Sequence, residues 1–136
     1  MPMFNVRVYG LLIHNNAILV VQEPVKNNRI IKFPGGGLEF GEGTVDGLKR
    51  EFKEELQATI FNVRHFYTTD FFVQSFINPE HQVISIYYLV DAAIEELNFN
   101  NDEGLVFQWI PMHDLHTELF PLPIDKHVVQ LLKGNA

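Results

Sequence analysis

The chain has 136 residues, 46% of them hydrophobic, and predicts one folding unit over 1–136 with no run near the roughly 18 apolar residues a membrane span needs. Ten Lys and Arg against 17 Asp and Glu give a net charge of -7, the wrong sign for non-specific capture of nucleic acid. The absence of cysteine excludes disulfides, thiolate metal sites and cysteine nucleophiles, and the N-terminus lacks the layout of a secretory leader, so a cytoplasmic location is expected.

Val6 to Ile13 is rich in β-branched and aliphatic residues, and Ala17 to Gln22 resumes the pattern. Between them Asn15-Asn16 can supply positive φ, which predicts a β-hairpin. Glu23 to Arg29, with Pro24 and two Asn, is predicted as a loop, Ile30 to Phe33 as a short strand, and Pro34-Gly35-Gly36-Gly37 as a break that Gly41 and Gly43 prolong. The period then changes. Val45, Leu48, Phe52 and Leu56 recur at steps of three and four, predicting an amphipathic helix from Thr44, its N-cap. Gly47 inside that helix costs about 1 kcal/mol relative to Ala, which predicts close packing there. Ile60 to Val73 and Val83 to Asp91 are predicted as long antiparallel strands joined by a polar segment containing Asn78-Pro79. Leu105 to Ile110 is a further strand ended by Pro111, and Ile124, Val128, Leu131 and Leu132 mark a final helix closed by Lys133 and Gly134. The order implies the α/β class, a mixed sheet flanked by helices in an α/β/α sandwich.

Chemistry concentrates between Gly36 and Ala58. At 100° per residue Glu51, Glu54 and Glu55 fall within about a 100° arc of the helix, away from its apolar stripe. Three carboxylates on one face repel unless cations neutralise them, and hard divalent cations such as Mg2+ take oxygen ligands. Taken alone, the helix also fits an ordinary solvated surface laced with ion pairs from Lys49, Arg50 and Lys53. The preceding glycines shift the balance, because they allow close backbone approach and can turn a carbonyl toward a metal, with Glu39 and Glu42 nearby.

This stretch resembles the Nudix hydrolase box: glycine, five residues, Glu, seven residues, Arg-Glu, an apolar residue, any residue, Glu-Glu, any residue, Gly, an apolar residue. Gly36, Glu42, Arg50-Glu51-Phe52, Glu54-Glu55 and Ala58 stand at that spacing. At roughly 6% usage each, six fixed matches arise by chance about once in 10^7 start positions. Gln57 stands where the family has Gly, which implies either a strained left-handed residue or a helix that runs slightly further. The resemblance extends from the N-terminal hairpin to Trp109-Ile110-Pro111.

The resemblance implies a pyrophosphohydrolase, in which water attacks phosphorus in a nucleoside diphosphate linked to another group, with Mg2+ or its substitute Mn2+ as cofactor. It implies Glu54 and Glu55 as principal metal ligands, Glu51 as a further ligand or the base, Arg50 as its orienting partner, and the Gly36 carbonyl as an added ligand. Glu103, in Asn101-Asp102-Glu103-Gly104, resembles the extra carboxylate that many members recruit before the late strand, as base or ligand; Asp102 and Glu103 also fit a plain solvated turn. Glu95 and Glu96 are weaker candidates for the same task. The implied partner is a small nucleotide or nucleoside-diphosphate derivative, with a homodimer as a family-based expectation. A non-catalytic nucleotide sensor on the same fold is the alternative, although its expected mark, a decayed carboxylate set, is missing.

Substrate choice is not written in the box. Phe71, Phe72 and Phe76 could stack a base and Arg7, Arg29 and Lys32 could reach phosphates, but with 12 Phe in the chain core packing explains any one of them better. Gln74-Ser75-Phe76 carries none of the family's subgroup signatures, so nucleoside triphosphates are only a default. His113 and His116 lack a third partner for zinc, and Ser75 and Ser85 lie in no nucleophile elbow.

Overall fold

Asn15 and Asn16 adopt φ of 50° and 61°, the double left-handed turn that folds β1 (Met3–His14) back onto β2 (Ala17–Val25). The computed structural model describes residues 1–134. The two strands pair only at Ile13↔Ile18 and His14↔Ala17 and then take other partners. Parallel to β1 runs β6 (His81–Ala92), from Met3↔His81 to Leu12↔Val90, and β5 (Ile60–Thr68) joins β6 antiparallel. Strand β2 carries β3 (Asn28–Lys32) and β7 (Val106–Pro111). The result is a mixed seven-stranded sheet of order β3-β2-β1-β6-β5, with β4 (Gly35–Gly37) on β1 and β7 on β2.

Strand alternation sorts the core into two layers. Val8 and Leu12 of β1 pack with Leu48, Phe52 and Leu56 of α1 (Thr44–Leu56) on one face. Tyr9 and Leu11 pack with Ile124, Val128 and Val129 of α2 (Pro123–Leu132) on the other. This is the expected α/β sandwich. No helix among the described residues is long and apolar enough to cross a membrane.

Gly10 lies in β1 on the α1 face, where an added Cβ would stand 2.6 Å from Phe52 Cε1. The helix sits on the sheet only because that side chain is missing. Gly10→Ala is therefore expected to destabilise by about 1–3 kcal/mol through overpacking, read as a lower melting temperature.

Several elements differ from the sequence expectation. The predicted Glu23–Arg29 loop is mostly strand, because Lys26 (φ 56°) makes a tight turn and Pro24 pairs with Arg29. Pairing of β7 with β2 stops at Gln22↔Val106, so Pro24 lies where β2 has lost that neighbour and a missing N–H is tolerated. Gly35–Gly37 is not a break but a strand on β1, Arg7↔Gly37 to Tyr9↔Gly35. Thr44 is not the N-cap. Gly43 takes that position without a side-chain bond, and Thr44 Oγ1 instead meets Tyr88 Oη at 2.6 Å. Strand β5 ends at Thr68, short of Val73, because the Asp70 carboxylate accepts from the Tyr67 hydroxyl at 2.6 Å and the chain turns out of the sheet. Gln57 resolves as the left-handed C-cap, φ 57° and ψ 24°, its N–H donating to Lys53 O at 3.0 Å. At Gly47 the expected close packing is present, with a Cβ position 2.7 Å from Leu38 Cδ1.

Candidate active site

Arg50 organises the acidic face of α1. Its guanidinium donates to both Glu42 oxygens (2.7 and 3.0 Å), to Glu54 Oε1 (3.1 Å), to Glu51 Oε1 (3.3 Å) and to the Gly37 carbonyl (3.1 Å). Only a planar fork reaches five acceptors on a loop, a strand and its own helix at once. Hydrogen bonding to Glu42 raises Arg50 above its ordinary pKa, and the same bond, with the Glu39 N–H, holds the Glu42 carboxyl down at about 2. The sequence placed Glu42 in the box without a task. The structure makes it the anchor of Arg50.

Glu51 is nearly buried against β4. A Cβ on Gly36 would lie 2.6 Å from Glu51 Oε1, so the glycine lets backbone and carboxylate share one wall. Burial raises the Glu51 pKa, with Arg50 opposing. Glu55, one turn on, is raised to about 7, first by burial and then by the Glu51 charge, with Glu23 and Glu103 adding to it and Lys32 opposing. Glu103 thus lies within electrostatic reach of Glu55. It is held there by Asn101, whose Oδ1 accepts from the N–H groups of Glu103 and Leu105 at 3.0 Å each. Arg29 braces the same loop by donating to Gly104 O at 2.7 Å. Glu96 accepts from Thr59 N–H at 2.8 Å and caps a turn.

The donor set is all oxygen: carboxylates of Glu51, Glu54 and Glu55 with the Gly36 backbone. Among the described residues no group of three His, Cys, Asp or Glu is placed to hold a metal ion by itself. Oxygen donors are the ligands of hard cations, and Mg2+ is commonly held by one or two carboxylates plus waters and substrate phosphates. The Glu51 charge that helps to raise Glu55 is likewise one that a hard cation beside the pair would neutralise.

Next to this cluster a cleft of about 270 Å3 opens on the α2 face of the sheet. Its floor follows strand alternation, with Asn5, Arg7 and Tyr9 from β1 beside Val83, Ser85 and Tyr87 from β6, and Glu23 and Lys32 from β2 and β3. Phe76 lies on its rim, while Phe71 and Phe72 are not part of it. Asp125 lines it as well. It is 3% exposed and accepts from the Tyr87 hydroxyl at 2.6 Å; burial lifts it to about 6. Sequence reading missed Asp125, yet its place between Ile124 and Val128 in the buried stripe of α2 carried the signal.

Sheet order, two flanking helices and an Arg-centred carboxylate face fed by a glycine strand define a class, the Nudix fold with its box in place. The NUDIX domain family model matches residues 3–132, and the chain belongs to that family. It is a Nudix pyrophosphohydrolase, a hydrolase acting on diphosphate bonds. Solved structures agree in fold. A MutT structure from work on Aliivibrio salmonicida and Vibrio cholerae superposes with a TM-score of 0.74 at 21% identity, covering 98% of this chain and 99% of that one. A NUDIX hydrolase from Nitrosomonas europaea gives 0.73 at 17% identity over 98% and 90%. The mutator MutT protein of Bacillus halodurans gives 0.74 at 19% over 93% and 80%. Among curated proteins none matches the chain significantly.

Proposed function

We propose that the chain, as one domain over residues 1–136, is a Mg2+-dependent pyrophosphohydrolase that splits the diphosphate linkage of a nucleotide or nucleoside-diphosphate derivative. The observation that carries this reading is the acidic face of α1, held by Arg50 against Gly36 and Gly37 and opening beside a cleft large enough for a nucleoside. Glu54 and Glu55 are the principal metal ligands, with Glu51 and the Gly36 carbonyl beside them. When bound, the metal neutralises phosphate oxygens and acidifies a water. Glu51 or Glu103 would take a proton from the attacking water, and Arg50 fixes Glu51 for either task. The acidic surplus of the chain is then no obstacle to a polyanionic substrate.

The test is phosphate and pyrophosphate release from nucleoside triphosphates, nucleotide sugars, ADP-ribose and dinucleoside polyphosphates, in Mg2+ or EDTA, with Glu54→Gln as control. Metal-dependent release that the control lacks is expected. Gln variants of Glu51 and Glu103 then separate the roles: the base is the one whose loss leaves Mg2+ binding intact while turnover stops. Binding of Mg2+ and nucleotide with no release from any compound would overturn the enzyme reading in favour of a sensor.

A further inference from the structure

Two cations in the cleft are poorly supplied with acceptors. Lys32 is 8% exposed, and its only protein acceptor is Glu23 Oε2 at 2.6 Å, so two of its three ammonium donors have none among the described residues. Arg7 uses one of its five N–H donors, Nε to the Tyr9 hydroxyl at 2.5 Å, and the other four have no protein acceptor among the described residues. Both cationic groups lie over the same ring, Arg7 Cζ 5.7 Å and Lys32 Nζ 5.8 Å from the Tyr9 centroid. Like charges placed together repel, and donors that face an open cleft with no protein acceptor are free to take a ligand, so this arrangement suits a multidentate anion.

The position says which anion. Arg7 feels the charge of Glu51, and Lys32 that of Glu55, on the box side. Both also act on Asp125, which lines the same cleft. The two cations therefore line the cleft within electrostatic reach of both the acidic cluster and Asp125. Among the described residues Glu23, at 36% side-chain exposure, is the acid in direct ion-pair contact with Lys32, and Arg7 has no carboxylate in such contact.

We infer that Arg7 and Lys32 form a paired subsite for the non-bridging oxygens of the phosphoryl group attached to the organic half of the substrate, with Glu23 as a competing internal anion. This rests on the proposed phosphoanhydride reading. It assigns to residues outside the box the orientation of the substrate, reactive linkage toward α1 and organic half toward Asp125.

The experiment is calorimetric titration of inorganic pyrophosphate into the EDTA-treated protein, so that neither turnover nor metal enters the readout. Lys32→Met and Arg7→Gln are each expected to weaken binding about tenfold, the value of one charge-assisted hydrogen bond. Glu23→Gln is expected to tighten binding, because it removes the competing anion, whereas a merely structural Glu23–Lys32 pair predicts loosening. Glu54→Gln should bind pyrophosphate like the wild type while losing turnover, which separates this subsite from the box reading. No pyrophosphate binding by the wild type, wild-type affinity in folded Lys32→Met and Arg7→Gln, or weaker binding in Glu23→Gln would each overturn the proposal.

Discussion

Glu55→Gln is expected to lower kcat by about 10^3-fold or more while leaving the metal-free protein at least as stable as the wild type above pH 7. The two effects have one cause. Burial and the Glu51 charge hold the Glu55 pKa at about 7, above its ordinary 4.5, so the folded chain prefers the protonated carboxyl. That preference stabilises the fold fully below about pH 4.5 and is lost as pH rises through about 7. Glu55 is partly solvated, and after screening the loss is on the order of 1–2 kcal/mol. A Gln at this position never ionises and escapes it. A cation that binds only the folded, ionised site reverses the loss, by about 2.7 kcal/mol at a hundredfold excess over Kd. Thermal unfolding in EDTA and in Mg2+, at pH 5 and pH 8, checks this: Mg2+ should raise Tm mainly at pH 8, and the rise should shrink in Glu55→Gln. Equal Mg2+ shifts in variant and wild type would remove Glu55 from the ligand set.

Legibility followed the physics of each element. Asn15-Asn16 and the Val45/Leu48/Phe52/Leu56 stripe were readable because a positive-φ turn and a 3.6-residue period are local properties. The box was readable because its spacing is rigid along one helix. Gly35–Gly37 was not, since a strand of glycines has no side-chain pattern and exists only through its pairing with β1. The hairpin around Lys26 hid behind Pro24, whose tolerance depends on where β7 ends, a fact some 80 residues away in the chain. For the candidate site, the sequence supplied the carboxylates of α1, and it named Arg7 and Lys32 only as loose candidates for phosphate contact. It did not show that alternation on β1, β2, β3 and β6 gathers Arg7, Glu23, Lys32 and Tyr87 into one floor, because that follows from strand order and register.

Arg50→Lys is expected to separate charge from geometry at the centre of this network. Lysine keeps the positive charge, so Glu42, Glu51 and Glu54 are not left to repel one another and Tm should fall only slightly. Its three donors cannot span the five acceptors that Arg50 reaches, and the Gly37 carbonyl or Glu51 is released. A displacement of about 1 Å in a catalytic carboxylate is worth about 10^2 in rate, so kcat should fall by that order while Mg2+ binding persists. Arg50→Met removes the charge as well and should lower both kcat and Tm. Its acid limb carries the clearest signature. Glu42 sits at about 2 because Arg50 bonds it, below its ordinary 4.5, so the stabilisation it contributes is present above about pH 4.5 and is lost as pH falls through about 2. In Arg50→Met the larger part of that contribution is gone at every pH, only the Glu39 N–H share remaining, and the decline of Tm between pH 4.5 and 2 should flatten relative to the wild type. An unchanged acid limb would mean that Glu42 does not anchor Arg50, and the loop from Gly37 to Glu42 would then need another tie to α1.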